Sequence, residues 1–320
     1  MIKKGESKTF AERINKLIYF IVNPSAGSGR AKAAVPVIKK IMEENNLGYS
    51  VVYTAAPDDF GNVASQIDFN KAAAIVCVGG DGTIQEYVGL AAGRDINFGV
   101  IPAGSGNDLI LSMPVPVPVQ SPTPRRFRNY EEKIKFYTEK IIKSETVYTD
   151  AITINKNKYL FNIGGTGIDI QTLQDALPIK KFIGSTAYFI SLIKNVVTYK
   201  SMEMKITVDG ITETGKYLVI AVCNGKYYGG GMKIAPPAVM NDGFITLCIA
   251  KKMPRLKLMT VFPRIRSGRH TSLSEVSLVN CSSVKLEFEG TKIINLDGNL
   301  SEFESPLTFE IMKNAVKLII

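Results

Sequence analysis

The chain is expected to be an α/β plus β protein, with a doubly wound α/β domain over 1–145 followed by an antiparallel β-sandwich domain over 146–312. Three observations predict this. The first hundred residues alternate short apolar runs with helical segments, several of those runs end in glycine-rich turns, and after about Val147 the pattern changes to many short strands. A length of 320 residues suits two domains of ordinary size.

Four runs in the first part read as strands: LIYFIV (17–22), YSVVYT (49–54), AAIVCV (73–78) and NFGVI (97–101). Each is short, rich in β-branched residues and bounded by Gly, Pro, Asn or Asp. Residues Ala31–Asn46, Phe60–Phe69 and Thr83–Ala92 read as the intervening helices. Such alternation marks βαβ units around a parallel sheet, whose ligands bind beyond the carboxyl ends of the strands. The stretch MPVPVPVQSPTPRRFRN (113–129) has prolines at 114, 116, 118, 122 and 124 and arginines at 125, 126 and 128, and reads as a linker or basic surface loop.

In the second part, TDAITIN, KYLFNIG, MEMKITV, TGKYLVIAV, FITLCIA, EVSLVN, SVKLEFE, TKIINLD and LTFEIM read as strands between turn dipeptides such as Asp209-Gly210, Asn224-Gly225 and Asp242-Gly243. Helices are expected only at 182–199 and 254–266. The second carries Arg255, Arg264, Arg266 and Arg269 near Leu258, Val261 and Phe262, a composition suited to anionic lipid headgroups and equally to a core helix with a cationic end.

Composition narrows the function. Hydrophobic residues at 45% and charged residues at 21% describe an ordered globular chain. Cys77, Cys223, Cys248 and Cys281 lie apart in apolar runs and read as buried free thiols, and a single histidine, His270, leaves nothing for a His-rich zinc site. The charged start lacks an apolar signal core, and Phe182–Tyr199 is too polar for the ~18 apolar residues of a spanning helix, so a cytoplasmic protein is expected, peripheral at most to the inner membrane face. The net charge of +10 attracts anions, but no nucleic-acid-binding signature accompanies it, so no nucleic-acid partner is expected.

The strongest chemical signal is AAIVCVGGDGTIQE (73–86), a buried strand running into Gly79-Gly80-Asp81-Gly82-Thr83 and a helix. Glycines let backbone approach a ligand closely, and exposed N–H groups attract phosphate. NPSAGSGR (23–30) and IPAGSGND (101–108) follow two other strands in the same way, so three loops on one rim would surround one phosphate chain. Asp81, placed among such donors, could hold a magnesium-bound water or orient a nucleotide hydroxyl. Neither a Walker A nor a Rossmann glycine pattern is present.

With Glu86, these three motifs resemble those of the diacylglycerol-kinase catalytic family, which includes bacterial lipid kinases and sphingosine kinases. Asp150, FNIGGTGID (161–169), GGGMKIAPPAVMNDG (229–243), SGRHT (267–271) and LDGN (296–299) continue the resemblance in family order. It implies an ATP- and magnesium-dependent lipid kinase with a nucleotide domain, a β-sandwich, a cleft for ATP and the lipid headgroup, and a tail at 313–320 that packs back on the first domain. By motif position, Asn23, Pro24, Ser25, Ala26, Gly27, Thr54, Gly79, Gly80, Asp81, Gly82, Thr83, Ile84, Gln85 and Ser105 would contact ATP. Asp242, with the backbone carbonyls of Val239 and Phe244, would match a structural Mg²⁺ site; the plain alternative is an Asn-Asp-Gly turn. Asp297 and Asp81 take the catalytic positions. Asn299 stands where the family usually has glutamate, and it cannot accept a proton at neutral pH. The Asp297-Gly298-Asn299 stretch also suits a hairpin turn without catalytic work. The implied partners are a lipid substrate and an anionic membrane surface, with oligomeric state open, a homodimer included. Two other readings share the motifs: a soluble-substrate kinase of the NAD-kinase kind, and a nucleotide or lipid binder that lost turnover with the glutamate.

Overall fold

The computed structural model describes residues 16–56, 59–114, 127–183 and 186–320, with backbone alone for 176–183, 186–189, 192–193 and 262. The chain divides into two compact units, Met1–Ala151 with Lys313–Ile320, and Ile152–Met312.

The first unit runs β1 (Leu17–Val22), α1 (Arg30–Glu44), β2 (Tyr49–Tyr53), α2 (Phe60–Ser65), β3 (Ala72–Gly79), α3 (Asp81–Tyr87), β4 (Asn97–Pro102), α4 (Asp108–Ser112), α5 (Tyr130–Lys143) and the start of β5 (Thr146–Ile154). A 3₁₀ turn, Val88–Leu90, continues α3. The strands lie in the order β2-β1-β3-β4, all parallel, with Ile18 beside Tyr49 and Ala74, and Ile75 beside Phe98. Lys317 and Leu318 extend the sheet in parallel beyond β4. The central strands β1 and β3 are apolar and almost wholly buried, as expected where both faces of a parallel sheet are covered. Ala34, Val35, Ile38 and Met42 of α1 and Ile134 and Ile141 of α5 pack with Phe20, Val22, Val76 and Val78, each large side chain contributing roughly 1.5–3 kcal/mol on burial. The chain leaves β1 toward β2 and returns to β3 on the other side of β1. The strand order therefore reverses between β1 and β3, where open α/β sheets bind their ligands.

Helix α5, which the sequence reading did not include, begins directly after the expected linker at 113–129, whose described residues 113–114 and 127–129 form neither helix nor strand. Asn129 caps it by accepting from the Glu132 N–H (2.8 Å), while Glu132 Oε2 accepts from the Arg128 N–H (2.7 Å). The Phe127 ring packs 5.5 Å from that of Phe136, so residues 127–129 already belong to the helix entry. The helix stops at Ser144, which is left-handed (φ 56). Prolines 116, 118, 122 and 124 and arginines 125 and 126 lie outside the described residues.

The second unit continues β5 and adds β6 (Lys158–Leu160), β7 (Ile163–Gly167), α6 (Ile168–Ile183), α7 (Thr186–Thr198), β8 (Met202–Val208), β9 (Ile211–Cys223), β10 (Tyr227–Tyr228), β11 (Met232–Lys233), β12 (Ile245–Lys251), α8 (Arg255–Ser267), β13 (Val276–Cys281), β14 (Ser283–Glu287), β15 (Thr291–Leu296), β16 (Asn299–Glu304) and β17 (Leu307–Ile319). The long β9 joins its layers. Residues from Ile211 to Tyr217 pair antiparallel with β8, while Val219–Cys223 pair with β7 on one side and β12 on the other. Ile220, Val222, Leu247, Ile245, Phe309 and Leu286 share one core with Leu160 and Ile294, and this is the sandwich the alternating pattern predicted. The structure departs from that reading in that Ile168–Ile183 is helical, KYLFNIG is broken into β6 and β7 by Phe161-Asn162, and β10, β11 and β16 are additional strands. All four cysteines are buried and free. No helix of the described residues is long and apolar enough to cross a membrane.

Candidate functional site

Three glycine-rich turns meet at the strand-order reversal of the first unit. Asn23, following β1, donates from Nδ2 to Thr83 Oγ1 (3.2 Å) and accepts from the N–H and hydroxyl of Ser25 (3.2 and 2.9 Å). This ties the first turn to the second. The second is tied to the third by contact of bare backbone: a Cβ on Gly104 would lie 2.4 Å from the Gly80 Cα. A Cβ on Gly27, whose φ is +61, would strike the Ala103 carbonyl, closing the set. Arg30 stitches the first and third turns, donating from Nε to the Gly27 carbonyl (3.0 Å) and from Nη2 to the Gly104 carbonyl (3.1 Å).

Asp81 completes this arrangement. Its carboxylate accepts the N–H groups of Asp108 (3.1 Å) and Leu109 (3.0 Å), so it fastens the third turn at the start of α4. Burial pushes its pKa up, against the opposing pull of these N–H donors. Gly79, Gly80, Gly82 and Thr83 lie alongside, and Ser105 is exposed next to Gly104. Pro24 and Ala26 shape the first turn. Thr54 is buried at the end of β2, its N–H given to the Val22 carbonyl (3.0 Å). Glu86 accepts the Asp59 N–H (3.1 Å), and Asp59 accepts that of Ala55 (2.8 Å), so the β2 turn is held to the same rim. Ile84 departs from its expected role. It is 2% exposed and gives its N–H to the Gly80 carbonyl, which makes it support for the loop, while Gln85 stays half-buried. The resulting floor is backbone rather than side chain, a surface that fits a polyphosphate.

In the second unit Asp297 sits in the two-residue turn between β15 and β16. Asp297 and Gly298 have φ of 49 and 103, the left-handed pair that tight hairpins use, and Leu296 pairs with Asn299 across it. The hairpin alternative is therefore what the backbone adopts. Yet the side chain has its own work: 6% exposed, it accepts the N–H groups of Phe161 (2.8 Å), Asn162 (3.0 Å) and Ile163 (2.6 Å), holding the start of FNIGG. Asn162 donates from Nδ2 to the Tyr227 carbonyl (2.8 Å), and Asn224 donates to the Phe161 carbonyl (2.8 Å).

Asp242 lies exposed at the turn before β12, accepting the Phe244 N–H at 3.0 Å, while its own N–H reaches the Val239 carbonyl at 3.4 Å. One carboxylate and two carbonyls in an open turn are hard oxygen donors with room for water, which fits a hydrated magnesium ion. Among the described residues no three His, Cys, Asp or Glu side chains gather at one point.

Sequence reasoning missed a further feature of this unit, an apolar cavity of ≈ 40 Å³ between β9, β12 and α8. Leu218, Met232, Leu258, Val261 and Ile265 line it, and Asp169 and His270 face it. Tyr228 donates to Asp169 Oδ2 (3.1 Å), but Asp169 Oδ1 and His270 Nδ1 have no hydrogen-bond partner among the described residues. Burial raises the Asp169 pKa and lowers that of His270, so each is pushed toward its neutral form. No local signal could have revealed the cavity, because Asp169 and Tyr228 are 59 residues apart.

Residues 17–154 match the model of the diacylglycerol kinase catalytic domain, and residues 163–320 match the YegS C-terminal NAD kinase beta sandwich-like domain. The chain carries a diacylglycerol kinase catalytic domain followed by a YegS-type C-terminal domain. Similar proteins include a diacylglycerol kinase of Mycobacterium tuberculosis, 28% identical over 91% of this chain and 90% of that protein. A diacylglycerol kinase of Bacillus subtilis is 25% identical over 87% and 88%. A crystal structure of a diacylglycerol kinase from Bacillus anthracis str. Sterne shares the fold, with a TM-score of 0.71 at 22% identity over 95% of this chain and 96% of that one.

Proposed function

We propose that this protein is an ATP-dependent kinase that phosphorylates the hydroxyl of a membrane lipid, diacylglycerol or a close relative. The observation that carries the reading is the meeting of three glycine-rich turns at the strand-order reversal, with Gly27, Gly80 and Gly104 packed backbone to backbone. Asn23, Ser25, Gly27, Gly79, Gly80, Gly82, Thr83 and Ser105 would hold the phosphates of ATP, with Thr54 and Gln85 at its edges. Magnesium arriving with ATP would neutralise phosphate charge, and Asp242 with the Val239 and Phe244 carbonyls would hold a second, structural ion.

In the reaction the lipid hydroxyl oxygen bonds to the γ-phosphorus as the bond from that phosphorus to the bridging oxygen breaks. ADP leaves, and the hydroxyl proton passes to water. A loose transition state asks mainly for positioning and charge neutralisation, so Asn299 in place of a glutamate is compatible with turnover. Asp81 positions the third turn and Asp297 orients the FNIGG backbone. The apolar cavity of the second unit suits the first carbons of an acyl chain. Asp169 and His270 would meet polar atoms near the glycerol end.

The test offers Mg-ATP with separate acceptors: diacylglycerol in mixed micelles, a sphingoid base, phosphatidylglycerol, a polyprenol and NAD. A phosphorylated lipid identified by mass supports the reading. Phosphorylated NAD alone, or ATP bound and never consumed, would sink it.

A further inference from the structure

Helix α8 (Arg255–Ser267) buries one face and leaves the opposite one unusually equipped. Leu258, Val261 and Ile265 point inward and line the apolar cavity. The residues set against the arginines are therefore others than those the sequence suggested, and the side chain of Phe262 lies outside the described set. At ~100° per residue the outer stripe holds Leu256, Met259, Thr260, Pro263 and Ser267. Leu256 is 82% exposed and Met259 57%. Arg255 and Arg266 run along one edge of this stripe and Arg264 along the other.

The helix contains four cations, Arg255, Lys257, Arg264 and Arg266, and no acid. Lys257 is paired with Glu275 (2.6 Å), whereas the three arginines, and Arg269 just beyond, have no acidic partner among the described residues. A single exposed leucine means little. Two exposed apolar side chains bracketed by unpaired arginines, on a helix whose other face walls an apolar cavity, match a bilayer boundary, where hydrocarbon and phosphate lie within one helix width. Nucleic acid offers no such hydrocarbon, and the stripe has no described aromatic ring to stack on a base.

We propose that α8 docks this protein on an anionic bilayer, Leu256 and Met259 entering the acyl boundary while Arg255, Arg264 and Arg266 meet headgroup phosphates. This deepens the lipid-kinase reading, because the helix that meets the membrane is also the wall of the cavity assigned to the acyl chain.

The full chain is sedimented with phosphatidylcholine vesicles and with vesicles containing phosphatidylglycerol, at low and raised salt. The native protein is expected to bind the anionic vesicles and to weaken in salt. Leu256→Ser with Met259→Ser should lower that affinity about tenfold or more, and each of Arg255→Gln and Arg266→Gln about fivefold. All these variants should keep the native melting temperature and phosphorylate a short-chain, micelle-free diacylglycerol at the native rate. Vesicle binding indifferent to Leu256 and Met259, or binding to duplex DNA in place of vesicles, overturns the docking proposal. If short-chain lipid is phosphorylated but vesicles are ignored, docking alone has failed. If vesicles are bound through α8 but no lipid is phosphorylated, docking stands and the kinase reading has failed.

Discussion

Asp81 in the first unit and Asp297 in the second both spend their carboxylates on backbone N–H groups far along the chain. Asp81 holds two, at Asp108 and Leu109, and Asp297 holds three, at Phe161, Asn162 and Ile163. Their settings differ. Asp81 is half-buried among bare glycine backbone, so the segment it fastens stays open to a ligand, whereas Asp297 is 6% exposed within a closed turn. An aspartate in a motif can thus be a fastener first, and the surface it keeps in place decides what the motif binds.

The largest effect should come from Asp297→Ala. It strands three buried N–H donors at about 1–3 kcal/mol each, so a stability loss of about 3–5 kcal/mol is expected in denaturant melts. A loss under ~1 kcal/mol would mean water replaces the carboxylate and the fastening is incidental.

Asp81→Ala removes two bonds in a wetter place and should cost about 1–3 kcal/mol while nearly abolishing phosphate transfer. Asp81→Asn separates charge from shape. Because burial raises the folded-state pKa of Asp81, the folded protein binds its proton more tightly than the unfolded chain does. Its contribution is therefore full below the unfolded value of about 3.9 and is lost as pH rises through the higher folded value. The native chain should gain stability relative to Asp81→Asn as pH falls through that window, and melts giving the opposite slope would reverse the assignment of burial as the dominant cause.

Asn299→Glu supplies a carboxylate beside the Asp297 turn. It should raise the transfer rate by up to about tenfold, a fraction of what a general base can contribute, and leave nucleotide affinity unchanged. The smallest effect is expected at the exposed turn before β12: Asp242→Ala should change metal-free stability by under ~0.5 kcal/mol and abolish the rise in melting temperature on adding magnesium.

The same contrast explains what was legible in the sequence. The first-unit strands were readable because buried parallel strands are short apolar runs, and β1, β3 and β4 pass into the glycine-rich turns that form the candidate site. Helix α6 was not, because Ile168 follows directly on the glycine-rich β7 and Pro178 interrupts its pattern. Helix α5 was hidden behind the prolines of 113–129, although Ile134, Thr138 and Ile141 show its buried spacing. Strand β16, NLSEFE, is polar and nowhere fully buried, so it carries no apolar alternation to detect. The cavity facing Asp169 and His270 depends on pairings between distant segments, which one-dimensional spacing does not contain.

The most direct test of the account is phosphate transfer from Mg-ATP to diacylglycerol by Gly104→Val, compared with the native chain. A side chain there would enter the 2.4 Å approach to Gly80 and part the second and third turns. Loss of transfer by about a hundredfold or more, with circular dichroism still native, is the predicted result, since small displacements at a reacting site carry costs of that order. Transfer at the native rate by a folded Gly104→Val protein would contradict the claim that these three turns form the ATP site.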